Sequence, residues 1–146
     1  MIVYIDASAL VKRYVAERGS EEVVELMESA EIIATSVITR AEVAAALARA
    51  ARLGALHYDA ARRAHRRFSR EWSDFARVPV TEPLVSRAET LAWDHGLRGY
   101  DAVQLASALT LQESIGKEML LATFAGQLWQ AATATGLRVW PEKLGT

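Results

Sequence analysis

Three acids fall where a chain of this pattern could build a reactive site. Asp6 closes the short run Ile2, Val3, Tyr4, Ile5, whose β-branched and aromatic residues read as a buried strand, and a helical pattern through Ala7, Ser8, Ala9, Leu10, Val11 and Tyr14 follows at once. Glu42 lies in the second turn of the helical stretch ITRAEVAAALARAARLG, where Ile38, Thr39, Ala45 and Ala46, three and four residues away, offer it no basic partner. Asp101 stands at the start of a helix after Gly96 and Gly99, in GLRGYDAVQLASAL. Each has an ordinary reading when taken alone. Asp6 and Asp101 would be helix N-caps, worth roughly 0.5 to 2 kcal/mol, and Glu42 a solvated acid on an alanine-rich helix. Taken together, an acid at a strand end and two near helix starts are positions that a parallel α/β topology gathers at one edge of its sheet.

Clustered carboxylates repel one another and are costly unless a cation compensates them. Hard oxygen donors select Mg²⁺ or Mn²⁺ over Zn²⁺, since the chain has no cysteine and its three histidines lack ligand spacing. Magnesium held by few carboxylates keeps several waters. It therefore has room for a phosphate oxygen and an attacking hydroxide, the requirements of metal-assisted phosphodiester hydrolysis.

Strands alternating with one or two helices must hold these acids. After the first strand and helix, Gly19 and Ser20 stop one element and cap a second helix carrying Val23, Val24, Leu26 and Met27. Glu31 to Thr35 reads as a strand, Ser36 as the cap of a third helix from Val37 to about Leu53, and Tyr58 to Phe75 as a strongly basic fourth helix. Arg77 to Val80 is a short strand, Glu82 to His95 and Tyr100 to about Ser114 are helices, Met119 to Ala122 a strand, Gln127 to Thr135 a helix, and Leu137 to Trp140 a last strand. Such alternation implies a parallel sheet between helical layers. With no internal repeat, low-complexity segment or linker, residues 1–146 read as one domain.

Composition narrows the function classes. About half the residues are apolar and the formal net charge is -1, so any nucleic-acid contact is local. The absence of cysteine rules out disulfides, thiolate metal sites and thiol nucleophiles. The short apolar start lacks a basic n-region, and no apolar run approaches the ~18 residues of a membrane span, so a cytoplasmic location is expected.

YIDASALVKRYV, SVITRAEVAAAL and GLRGYDAVQLASAL, in this order and spacing, resemble the PIN-domain nucleases, in particular the VapC-type ribonuclease toxins of prokaryotic toxin-antitoxin pairs. The likeness covers essentially the whole chain. It implies a three-layer α/β/α sandwich with a central parallel sheet of about five strands, and an endoribonuclease that hydrolyses RNA with a metal-activated water, without a covalent enzyme intermediate. It matches Asp6, Glu42 and Asp101 to the family's catalytic and metal-binding acids, with Mg²⁺ or Mn²⁺ as cofactor. On the substrate side it gives Ser8 and Thr123 as supporting polar groups. A homodimer and a VapB-type antitoxin covering the acidic crevice are implied partners. One departure stands out: in LATFAGQL, Ala125 occupies the place of the family's usual fourth acid. That removes a ligand associated with a second metal position. The alternative is a PIN-like module, weakened or inactive, that binds RNA or a protein partner.

Arg40 and Arg98, close in sequence to Glu42 and Asp101, are candidates for phosphate contact. Arg62, Arg63, Arg66, Arg67 and Arg70 form either an RNA path or a solvated face or partner surface. His57, His65 and His95 read as structural or surface residues, and the four tryptophans as core or interface. Other classes lack their signatures. A haloacid-dehalogenase-type phosphatase needs an acid at position 8, a receiver domain needs paired acids and a late lysine, and dinucleotide binding needs GxGxxG after the first strand.

Overall fold

The computed structural model describes residues 1–145. Its element order is β1 (Ile2–Ile5), α1 (Ala7–Leu10), α2 (Ser20–Ser29), β2 (Ile32–Ser36), α3 (Thr39–Arg52), α4 (Tyr58–Glu71), β3 (Ala76–Val78), α5 (Glu82–His95), α6 (Gly99–Ile115), β4 (Leu120–Ala122), α7 (Gly126–Ala134) and β5 (Arg138–Trp140). All five strands are parallel in the order β3-β2-β1-β4-β5. Helices cover both faces, giving the expected three layers.

Strand alternation divides the core in two. Tyr4, Ala34, Val78 and Leu121 point toward α5, α6 and α7. Val3, Ile5, Leu120 and Ala122 point toward α1 to α4, where Leu10, Val23, Val43, Leu47 and Phe68 fill the layer. A side-chain period of two allows a strand to be apolar on both sides, as a parallel sheet requires. From the central β1 the chain reaches β2 on one side and β4 on the other. The carboxyl ends of β1 and β4 therefore form the switch point at which open α/β sheets carry their sites.

Several boundaries differ from the sequence expectation. Helix α1 has only four residues and tightens into a 3₁₀ turn at Val11–Arg13, a common helix ending. Ser20 does not cap α2: Gly19 does, with φ of 93°, while the Ser20 hydroxyl accepts from the Glu17 N–H and donates to the Val15 carbonyl. Glycine suits this left-handed backbone, which L side chains rarely adopt, and a Cβ would also press on the Phe124 ring at 3.1 Å. Ser36 ends β2 and accepts the Ile38 N–H, so α3 begins two residues later than expected. Helix α4 stops at Glu71 and continues as a 3₁₀ turn, Trp72–Asp74. Strand β3 covers Ala76–Val78 and ends before Pro79, which has no N–H for the ladder.

Candidate active site

Asp6 leaves the end of β1 and caps α1, its Oδ1 accepting the Ala9 N–H at 3.0 Å. The cap and the site are the same side chain. Only 3 % of Asp6 is exposed, and the loop after β4 completes its surroundings. Thr123 donates its hydroxyl to Asp6 Oδ2 at 2.7 Å, and Ser8 donates to Oδ1 at 2.8 Å. Each hydroxyl oxygen in turn accepts a backbone N–H: Phe124 bonds Ser8 at 2.9 Å and Ala125 bonds Thr123 at 3.0 Å. Because an ionised carboxylate only accepts, these short contacts take the hydroxyl protons of both residues.

Glu42 projects from the first turn of α3 and is half-buried. Asp101 lies in the first turn of α6, where the positive end of the helix dipole favours an acid. It does not cap that helix: Arg98 occupies the N-cap position, without a side-chain cap. Burial pushes Asp6 up to about 6, against the pull of the Thr123, Ser8 and Ala9 donors, and Asp101 pushes it further. Burial also raises Glu42 to about 6, with added repulsion from Asp6 and Asp101 and relief from a hydrogen bond to Gln104. Asp101 is raised by burial and drawn back by Arg98. Each acid thus lies in another's field. None forms an ion pair among the described residues.

This is a site short of positive charge. Among the described residues no three His, Cys, Asp or Glu side chains are packed closely enough to encage an ion unaided. A cation that keeps most of its waters needs no such cage. The donor set, hard carboxylate oxygens without a thiolate, fits Mg²⁺ or Mn²⁺.

The remaining candidates fall in different places. Ser8 and Thr123 are bound to Asp6, as described. Arg98 is exposed and acts on Asp101. Arg40 is also exposed, but its guanidinium lies 5.9 Å over the Trp72 ring. Ala125 is the N-cap of α7, where no side chain accepts from the helix. The five arginines of α4 are exposed; Arg67 also approaches Glu71 at 3.8 Å. His57 caps α4 through Nδ1, and Trp72 is buried, in keeping with structural roles.

Gln104 is the residue that sequence reasoning missed. Buried in α6, it donates Nε2 to Glu42 Oε1 at 2.7 Å and to Thr39 Oγ1 at 2.9 Å. The one signal was a glutamine three residues after Asp101 in an otherwise small and apolar run.

The PIN-domain family model matches residues 3–124. Ribonuclease VapC45 of Mycobacterium tuberculosis is 36 % identical over 147 aligned residues, covering 98 % of this chain and 97 % of its own. Among solved structures, FitAB bound to an IR36 DNA fragment aligns with a TM-score of 0.69 at 22 % identity, covering 100 % of this chain and 99 % of that one. VapC20 of M. tuberculosis, described as a sarcin-ricin loop cleaving toxin, aligns with a TM-score of 0.67 at 18 % identity over 92 % of this chain and 95 % of its own.

Proposed function

The chain belongs to the PIN-domain family, and from that premise we propose that it is a VapC-type endoribonuclease toxin hydrolysing RNA with Mg²⁺ or Mn²⁺ held by Asp6, Asp101 and Glu42. The observation that supports this reading is that three acids are each raised by burial, Asp6 at the end of β1 in the field of Asp101 and Glu42 in the field of both, with no basic side chain paired to Asp6 or Glu42 among the described residues. A bound divalent cation supplies a water of lowered pKa and neutralises charge on a phosphoryl oxygen.

The chain's own residues prepare for both. Ser8, Thr123 and the Ala9 N–H fix the Asp6 carboxylate and leave part of its acceptor capacity free. Glu42 commits Oε1 to Gln104, and its Oε2 has no protein partner among the described residues. Arg98, beside Asp101, is the cation placed to meet an incoming phosphate, and its planar fork suits two phosphate oxygens. Arg40, over Trp72, is the more distant candidate and would act on the flanking backbone. With alanine at position 125, the arrangement is read as a site for one principal cation.

An antitoxin of the VapB type is the expected protein partner. A groove of about 410 Å³ between α3 and α4, with an apolar floor of Ala44, Leu47, Ala48, Ala51 and Ala61 edged by Arg52, Arg62 and His65, offers it a seat. A basic side chain from such a partner, entering the acidic crevice, would supply the positive charge the carboxylates need and so inhibit. A homodimer is the expected state of the chain, and its place of action, with RNA as substrate, is the cytoplasm. No helix among the described residues is long and apolar enough to cross a membrane.

The test is cleavage of a panel of structured RNAs, a sarcin-ricin loop among them, with Mg²⁺, Mn²⁺ or chelator, by wild type and Asp6→Asn. Cleavage that requires metal and is lost in the variant supports the proposal. Inactivity of both proteins, folded and with metal, favours a binding module that lost its chemistry with the fourth acid.

A further inference from the structure

Helix α6 buries every residue from Ala102 to Ala108, and Gln104 is the longest polar side chain among them. A buried primary amide is costly unless both ends are bonded. Here both are. The oxygen accepts the Tyr4 hydroxyl at 2.5 Å, while the two N–H groups go to Glu42 Oε1 and Thr39 Oγ1.

The direction of these bonds is set by their ends. An ionised Glu42 accepts only, so the NH₂ group must face it. Thr35 Oγ1 lies 2.6 Å from the Ile5 carbonyl and 2.8 Å from Thr39 Oγ1. The carbonyl only accepts, so it takes the single Thr35 proton, and Thr39 donates to Thr35. Thr39 can then accept from Gln104, and Tyr4 donates to the amide oxygen. Rotating the amide by 180° would set its oxygen against a Glu42 oxygen and leave the Tyr4 proton facing an NH₂ group. The network therefore admits one orientation. It runs from Glu42 through α6 and α3 to the carbonyl of Ile5, the residue preceding Asp6.

We infer that Gln104 is a positioning residue: locked by Tyr4 and Thr39, it holds one oxygen of Glu42 and turns the other toward the cation site shared with Asp6 and Asp101. This rests on the metal site proposed above. A glutamine that only satisfied the core would have no need to end on a half-buried acid, nor to be tied to the strand that delivers Asp6.

The experiment is Mn²⁺ titration of the full chain by calorimetry, without RNA, for wild type, Gln104→Met, Tyr4→Phe and Asp6→Asn, each with a metal-free melting curve. Methionine keeps the length of the side chain and removes its donors. Gln104→Met is expected to weaken Mn²⁺ binding by about 10-fold to 100-fold, the usual effect of losing a group that orients a ligand. Tyr4→Phe leaves every acid in place and removes the hydroxyl that locks the amide, along with its contacts to Ser107 and the Ser36 backbone; a loss of roughly 2-fold to 10-fold is expected. Cleavage by Gln104→Met should recover as Mn²⁺ is raised, which a disordered core would not do. Wild-type affinity in a folded Gln104→Met overturns this inference alone. If that variant does not fold, wild-type affinity in Tyr4→Phe overturns it. Absence of Mn²⁺ binding by wild type, or equal binding by Asp6→Asn, overturns the metal site and the inference with it.

Discussion

Replacing Asp6 by asparagine should abolish function and stabilise the metal-free fold. Folding raises the Asp6 pKa from 3.8 to about 6. At 1.36 kcal/mol per unit, keeping it ionised above pH 6 costs about 3 kcal/mol. The sign follows from the raised value. Folding favours the protonated form, so the contribution of Asp6 to stability is greatest below pH 4, declines as pH rises to about 6, and then levels off. The asparagine of the variant would keep a good cap for α1, since Asn and Asp are close to equal at that position. Its NH₂ group would, however, face a hydroxyl already accepting a backbone N–H, at a cost of about 1 kcal/mol. The balance is a gain of about 2 kcal/mol near pH 7.5, which for a chain of this size raises Tm by about 4 to 8 °C. Metal-free wild type and Asp6→Asn would be melted by circular dichroism from pH 4 to 8. The advantage of the variant should be absent near pH 4 and reach its plateau by about pH 6.5. A variant less stable than wild type at pH 7.5, by a margin independent of pH, would refute the claim that Asp6 is a destabilised anion awaiting a cation.

Other predictions follow from the same geometry. Because burial and mutual repulsion raise Asp6 and Glu42 to about 6, protons compete with metal below that pH. The rise in Tm on adding Mn²⁺ should be large at pH 7.5 and nearly vanish at pH 5. Ala125→Asp adds an acceptor at the uncapped start of α7; it should tighten Mn²⁺ binding and raise the cleavage rate, and unchanged affinity and rate would remove position 125 from the metal shell. Arg98→Ala should raise the KM for RNA and flatten its salt dependence by about one phosphate contact. Arg40→Ala, whose guanidinium stacks on Trp72, should have the smaller effect in the same kinetic titration.

The fold was legible because its signals are local. A β-branched run ending in Asp6, glycine after α5 and a proline after β3 each mark a boundary through backbone chemistry that acts within a few residues. Boundaries shifted where two local signals competed. Ser20 has the side chain of a cap, but the left-handed backbone at Gly19 takes that place and turns the serine back onto Glu17 and Val15. The three acids were found through their positions at strand ends and helix starts. Their shared field could not be read locally, since Glu42 and Asp101 meet only when α3 and α6 converge on the sheet edge. Gln104 was hidden for the same reason. Its partners Tyr4, Thr39 and Glu42 lie 100, 65 and 62 residues away in sequence, and in a helix of alanine, valine and leucine a lone glutamine conveys nothing of them.

The most direct test of the central claim is a crystal of the metal-free protein soaked in Mn²⁺ at pH 7.5, with anomalous scattering recorded at the manganese edge. The account predicts one principal peak between Asp6, Glu42 and Asp101, absent in Asp6→Asn. Manganese bound elsewhere, or no peak among the three acids in a crystal that binds it at other carboxylates, would contradict it.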